Sequence, residues 1–377
     1  MKQSSSTLHA AAPQSETDPR AVLSRASVAV LLGGRSSERE VSLQSGAAIL
    51  AALRESRPAG VARGPRQVTA IEIEASGAWQ YDGQSFAALR VLELLAPDTL
   101  FFLALHGGEG ENGSIQGLLE ACDRRYTGSG VAASALCMNK HATRLVLREA
   151  GLSTAAGCSI EHDEWRDARA LVLERVAALS DDGWYVKPNS GGSSVSTYCV
   201  EPGAQAALAR ALDDVLATGD RALVEARVRG CETTCAVLGN QGGALRALAP
   251  VEIVPHAGRF FDYEEKYSGN GASEFCPPRS LSAHSIARVQ QQALRAHRAA
   301  ACDGYSRTDF IVPRDAQGQE LEPVVLEINT LPGMTARSLL PQAAAQAGMD
   351  MRELCLAILE LALTRTRAAP VRGTSER

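Results

Sequence analysis

The sequence predicts an α/β protein of more than one domain, and three observations carry that reading. Short apolar runs suited to buried strands, such as Val28-Ala29-Val30-Leu31-Leu32, alternate with stretches of helical apolar spacing. Strand-like runs end in glycine-rich breaks, at Gly33-Gly34 and across 107–113, and parallel α/β sheets bind ligands beyond the carboxyl ends of their strands. The length of 377 residues suits two or three domains, at ~150 residues each.

In order, strands are expected at 28–32, 67–74 and 100–105, with helices at 42–53 and 114–122 completing parallel βαβ units. Helices at 140–150 and 164–178 and the strand 184–187 follow. A Pro188-Asn189-Ser190-Gly191-Gly192-Ser193-Ser194 loop then leads to a short strand ending at 200. Further strands are expected at 222–228, 232–238 and 249–254, then a polar loop over 256–280. A helix at 282–301, strands at 308–312 and 324–329, and terminal helices to about 363 close the chain. Residues 1–25 read as a disordered extension and 366–377 as a frayed tail. The remainder divides at 26–136, 137–221 and 222–365.

Composition excludes several classes. The apolar fraction is 45% and the charged fraction 21%, ordinary for a soluble domain large enough to fold without staples. A net charge of −5, from 38 basic and 43 acidic side chains, speaks against a nucleic-acid partner. No apolar stretch approaches the ~20 residues that cross a bilayer, so no membrane partner is expected. The first residues lack the apolar segment of a secretory signal, which points to the cytoplasm. Nine dispersed cysteines contain no Cys-x-x-Cys pair. They read as buried thiols rather than metal ligands.

Three stretches carry chemistry. In the Ser/Gly loop, glycines bring backbone amides close to an anion, serines add donors, and Lys187 supplies charge. It reads as a phosphate clamp or as a surface hairpin. Arg307 and Asp309 alternate on one strand face, as do Glu327 and Asn329 on another. If those strands are neighbours, hard oxygen ligands suited to magnesium converge beside an arginine suited to a phosphoryl group. The alternative is a set of exposed polar residues on a half-buried sheet. His106, set before Gly107-Gly108-Glu109-Gly110-Glu111-Asn112-Gly113, is either a structural hydrogen-bonder or a residue close to a ligand.

Longer motifs carry a family resemblance. Gly33-Gly34-Arg35-Ser36-Ser37-Glu38-Arg39-Glu40-Val41-Ser42-Leu43, Ala104-Leu105-His106-Gly107 and Tyr126-Thr127-Gly128-Ser129-Gly130 resemble the amino-terminal third of D-alanine–D-alanine ligases. Val186-Lys187-Pro188, Ser193-Ser194-Val195, Phe261-Asp262-Tyr263-Glu264-Glu265-Lys266-Tyr267, Arg307-Thr308-Asp309-Phe310 and Glu327-Ile328-Asn329-Thr330-Leu331-Pro332-Gly333-Met334-Thr335 resemble the remainder. The resemblance spans about 26–363 and implies the ATP-grasp fold. In that fold 26–136 is a substrate domain, while 137–221 and 222–365 are the two lobes that enclose ATP. It implies ATP-dependent ligation of two D-alanines for peptidoglycan precursors, through an acylphosphate, in a homodimeric enzyme. The rival reading within the class is a ligase of a specialised pathway joining other amino acids.

Residue by residue, the resemblance makes Glu38 the holder of the first substrate's amino group, in a closing triad with Ser193 and Tyr267. It puts His106 near that substrate's carboxylate and Lys140, Lys187 and Lys266 on the ATP phosphates. Glu225, Ala226 and Val228 fall beside adenine and Glu232 on the ribose. Arg307 meets charge at the reacting centre, and Asp309, Glu327 and Asn329 hold two magnesium ions, which manganese can replace. Ser338 and Leu339, with Gly333 nearby, receive the second substrate. Departures from the family pattern stand at Asn139, Ser196, Ser306 and Arg337 and in Gly107-Gly108-Glu109, which lacks an arginine often found there. Ser306 and Arg337 are expected close to the acceptor.

Overall fold

The structure is a computed structural model that describes residues 18–55, 64–191, 196–255 and 272–366. Its three sheets each follow from the apolar runs. In the first, the strands Gln67–Ile73, Ser27–Gly33, Leu100–Leu103 and Arg125–Tyr126 lie parallel in that spatial order. The hairpin Trp79–Tyr81 and Gln84–Phe86 extends the edge beside Gln67–Ile73 in antiparallel fashion. Ser27–Gly33 is the central strand. It is buried on both faces from Val28 onward, as a continuous apolar run in a parallel sheet requires.

The second sheet is antiparallel, ordered Gly157–Ile160, Ala222–Ala226, Trp184–Pro188, Tyr198–Val200. The helix Gln205–Leu216, not expected from the sequence, covers it with Leu208, Leu212 and Val215. The third sheet runs Ala272–Phe275, Val251–Pro255, Gly230–Leu238, Tyr305–Pro313, Val324–Asn329. The helix Ala283–Ala299 seals one face through Val289, Ala293 and Ala296, which leaves the other face open toward the cleft. The final helix, Met351–Thr364, is fixed at its start by a capping box between Asp350 and Glu353. It packs back on the helix Arg39–Arg54 and joins the core of the first sheet through Leu354, Ile358 and Leu359.

Several expectations need correction. Part of the proposed disordered extension is ordered: Asp18 caps a short helix, Pro19–Leu23, whose Leu23 is buried against the first core. A five-residue helix that buries a single side chain gives too little periodicity to read. The helix expected over 164–178 is two, His162–Asp167 and Arg169–Ala177, broken at Ala168. The polar loop over 256–280 contains the edge strand Ala272–Phe275, and 256–271 lies outside the described residues. The strand expected at 308–312 begins at Tyr305 and ends at Pro313.

Candidate active site

The carboxyl ends of the first sheet build one wall. Gly33 N donates to Ser42 Oγ (2.8 Å), and Ser42 Oγ donates to Ala104 O (2.8 Å), which fixes the helix Arg39–Arg54 against two strand ends. Glu38 sits immediately before that helix, 6% exposed. Its carboxylate rests on Gly107, which has φ +65°; a Cβ at that position would collide with Glu38 Oε2. Only glycine meets both demands.

Gly107 N donates to Glu111 Oε2 (2.6 Å). Burial, and then the neighbouring Glu38 charge, push the Glu111 carboxyl up to about 8, so it is largely protonated at neutral pH. Sequence reasoning missed Glu111. The signal lay in Gly108-Glu109-Gly110-Glu111, but nothing there tells which acid turns inward. Glu109 points out to pair with Arg35.

His106 is buried, with Nε2 3.0 Å from Ser45 Oγ. Burial lowers its imidazole to about 4, and it is therefore neutral. Ser45 Oγ also accepts from Met334 N (3.2 Å), which ties His106 to the 331–335 turn.

The second sheet supplies one lysine and the helix that precedes it another. Lys187 Nζ lies 2.6 Å from Glu225 Oε2. Burial alone would lower the lysine, but the Glu225 carboxylate outweighs it and the net shift is upward. Lys140 opens the helix Lys140–Glu149; its amide donates to Asn189 O (3.0 Å) and its Nζ to Gly191 O. Asn139, where the family commonly has aspartate, still caps that helix by accepting from Ala142 N (3.0 Å). The Ser/Gly loop joins the antiparallel neighbours Trp184–Pro188 and Tyr198–Val200. Its described ends, Ser190, Gly191 and Ser196, line the cleft, with Ser190 N held by Asp220 Oδ2 at 2.6 Å, and 192–195 lie outside the described residues.

In the third sheet the two expected strands are neighbours, with Arg307 opposite Asn329 and Asp309 opposite Glu327. Arg307 Nε and Nη2 donate to Asp309 Oδ1 and Oδ2, each at 2.9 Å. Asn329 Nδ2 is 3.3 Å from Asp309 Oδ2, and Thr234 Oγ1 donates to Asp309 Oδ1 (2.5 Å). Among the described residues no cluster of three His, Cys, Asp or Glu forms. Here two carboxylates and an amide on paired positions offer oxygen donors only, a set that fits magnesium.

These walls enclose a cleft of about 1160 Å³. Glu38 and Gly107 line it beside the first sheet, Lys187, Glu225 and Ala226 on the second, Val228 just past that strand, and Lys140 from its helix. Glu232, Asp309 and Glu327 line it from the third. Asn329 lines an adjoining cavity of about 20 Å³ with Glu111, Lys140 and Glu327. His106, Arg307, Gly333, Ser338 and Leu339 are outside the cleft lining. Ser193, Lys266 and Tyr267 lie outside the described residues.

One expectation about the acceptor changes. Ser306 is fully buried on the opposite strand face from Arg307, with Oγ 2.7 Å from His297 Nδ1 under the helix Ala283–Ala299. Strand alternation turns it away from the cleft. Arg337 is exposed, and its backbone carbonyl accepts from Gln342 Nε2 at 2.8 Å. Ser338 Oγ accepts from Thr335 N (3.1 Å) and lies 2.9 Å from Thr335 Oγ1.

Family models match two segments: D-ala D-ala ligase N-terminus over residues 27–99 and D-ala D-ala ligase C-terminus over 146–360. The D-alanine--D-alanine ligase of Halalkalibacterium halodurans is 38% identical over 337 residues, which is 89% of this chain and 99% of that one. Among solved structures, the D-alanine--D-alanine ligase from Bacillus anthracis complexed with ATP gives a TM-score of 0.69 at 29% identity. That alignment covers 90% of this chain and 97% of the other. The VanG D-Ala:D-Ser ligase from Enterococcus faecalis gives 0.73 at 26% identity, covering 90% and 99%.

Proposed function

The chain belongs to the D-alanine–D-alanine ligase family, whose reaction joins two D-alanines, and we propose that it does so with ATP through an acylphosphate, for peptidoglycan precursors. The observation that carries this reading is the cleft that Glu38, Lys140, Lys187, Asp309 and Glu327 line together. A carboxylate for an amino group, ammonium groups for phosphates, and an acidic pair for a cation are what an amino acid and a nucleotide require together.

In the proposed reaction Glu38 holds the ammonium of the first D-alanine, with Ser193 and Tyr267 closing over it. The neutral His106 would stand near that substrate's carboxylate and hydrogen-bond without adding charge. The first substrate's carboxylate oxygen attacks the γ-phosphorus, and the bond to the β–γ bridging oxygen breaks to release ADP. Lys140, Lys187 and Lys266 bind the phosphates, Ala226 and Val228 flank adenine, and Glu232 reaches the ribose. Arg307 meets charge developing on the transferred group. The second D-alanine's amine then attacks the acyl carbon and phosphate leaves. Ser338, Leu339 and Gly333 would receive that substrate's carboxylate, beside a helix amino end. Asp309, Glu327 and Asn329 would hold magnesium, which neutralises triphosphate oxygens when bound. Shielding from water protects the acylphosphate from hydrolysis.

Cytoplasmic action as a homodimer, and a division at 26–136, 137–221 and 222–365, go with this reading through the family. The test is ADP release by the purified chain with D-alanine, L-alanine, D-serine and D-lactate, with products identified by mass. D-alanine alone should give ADP and D-alanyl-D-alanine. The likeness to a D-Ala:D-Ser ligase makes D-serine the acceptor to set against it. A product formed only with D-serine present would move the reading to the specialised class.

A further inference from the structure

Arg144 lies behind the nucleotide end of the cleft and does not line it. It is 3% exposed, on the helix Lys140–Glu149, with Nε 3.1 Å from Glu225 Oε1. Glu225 Oε2 is the oxygen that Lys187 approaches to 2.6 Å. A buried carboxylate thus stands between two cations, Lys187 on the cleft side and Arg144 on the core side. Arg144 Nη2 donates to Ala155 O (2.5 Å), so the guanidinium is held from a second direction. Its slot depends on Gly157, the residue paired with Glu225 across the sheet. A Cβ at 157 would meet Arg144 Nη2 at 2.9 Å and collide with Val224 O.

Burial by itself would raise Glu225, but Lys187 and then Arg144 outweigh it and keep the carboxyl low. The physical problem is what happens when a nucleotide arrives. Lys187 must turn its ammonium toward the nucleotide, and a buried carboxylate that loses its only partner is strongly unfavourable. A standing second cation removes that obstacle. We propose that Arg144 is a positioning residue for nucleotide binding: it keeps Glu225 paired from the core side and so frees Lys187 to engage a nucleoside triphosphate. Without it, Lys187 stays committed to Glu225. A lysine in its place retains the charge but not the planar fork that reaches both Glu225 and Ala155 O.

This inference rests on the nucleotide reading of the cleft, and the test separates the two. ATP affinity of the full chain is measured by calorimetry, alongside the Michaelis constants for D-alanine, in Arg144→Met, Arg144→Lys and Glu225→Gln, and in the double variant that combines Arg144→Met with Glu225→Gln. Expected are an ATP dissociation constant raised tenfold or more by Arg144→Met and partly restored by Arg144→Lys. The D-alanine constants should stay within twofold. The effects of Arg144→Met and Glu225→Gln should be far from additive, because Arg144 acts through Glu225. Should Arg144→Met fail to fold, Arg144→Lys and its combination with Glu225→Gln carry the same comparison. Unchanged ATP affinity, equal losses for both ligands, or additive effects would each overturn the inference. Failure of the unaltered chain to bind ATP would overturn the nucleotide reading itself, and this inference with it.

Discussion

Arg307 and Asp309, two residues apart on one face of the strand Tyr305–Pro313, are joined by parallel hydrogen bonds of 2.9 Å, Nε to Oδ1 and Nη2 to Oδ2. The fork matches the carboxylate in two places, so each side chain fixes the direction of the other. The group proposed for the transferred phosphoryl and a group proposed for magnesium therefore form one rigid unit. Asp309→Asn keeps the shape, removes the charge and loosens Arg307. Turnover should fall by a hundredfold or more, equivalent to ~3 kcal/mol of transition-state stabilisation, with an unchanged circular dichroism spectrum. Glu327→Gln should behave alike. Full turnover at ordinary magnesium in either variant would remove that residue from the set.

Gly107→Ala tests the packing under Glu38. The new methyl meets both a positive φ and the Glu38 carboxylate, so a stability loss of about 1–2 kcal/mol is expected. Displacing Glu38 should also raise the Michaelis constant for the first D-alanine more than that for ATP. Denaturant melts and initial-rate kinetics check both parts.

Acid should weaken the fold through two buried histidines. Burial lowers both His106 and His297 to about 4, whereas an unfolded histidine titrates near 6.5. Between those values the unfolded chain binds more protons, so stability rises with pH. The contribution is complete above about 6.5 and is lost as pH falls toward 4. Each histidine accounts for about 2 kcal/mol at pH 5. Melts at pH 5 and pH 7 should differ less in His297→Gln than in the unaltered chain. An identical pH dependence in the two would mean that His297 does not titrate between these values.

The acceptor side gives a paired prediction. Ser306→Gly installs the residue common in the family and deletes the contact with His297 Nδ1. It should lower the melting temperature while leaving acceptor preference among D-alanine, D-serine and D-lactate unchanged. Ser338→Ala should do the reverse, raising the second Michaelis constant well above any effect on the first. A preference change in Ser306→Gly would contradict its placement on the strand face under the helix Ala283–Ala299.

These outcomes mark what is legible in the sequence. Arg307, Asp309, Glu327 and Asn329 can be set on two strand faces from their spacing alone, because strand alternation is strict. Their meeting requires the register, which places Asp309 opposite Glu327. Ser306 departs from expectation because nearness in sequence to Arg307 does not bring nearness to the acceptor; alternation sends it to the other face. Glu111 and Arg144 are invisible for a different reason. Each is an ionisable side chain turned inward: Arg144 meets Glu225 on another element, and Glu111 turns back on Gly107 at the start of its own short helix. The helix Pro19–Leu23 is lost to the sequence because one buried leucine leaves no periodic signal.

The most direct measurement of the central claim follows oxygen atoms. D-alanine carrying ¹⁸O in both carboxylate positions is turned over with unlabelled ATP in unlabelled water, and the released phosphate is analysed by mass. Attack of the first carboxylate on the γ-phosphorus, followed by amine attack at the acyl carbon, transfers one ¹⁸O to each phosphate formed with dipeptide. The account predicts singly labelled phosphate in equal amount to D-alanyl-D-alanine. Dipeptide accompanied by unlabelled phosphate would contradict it.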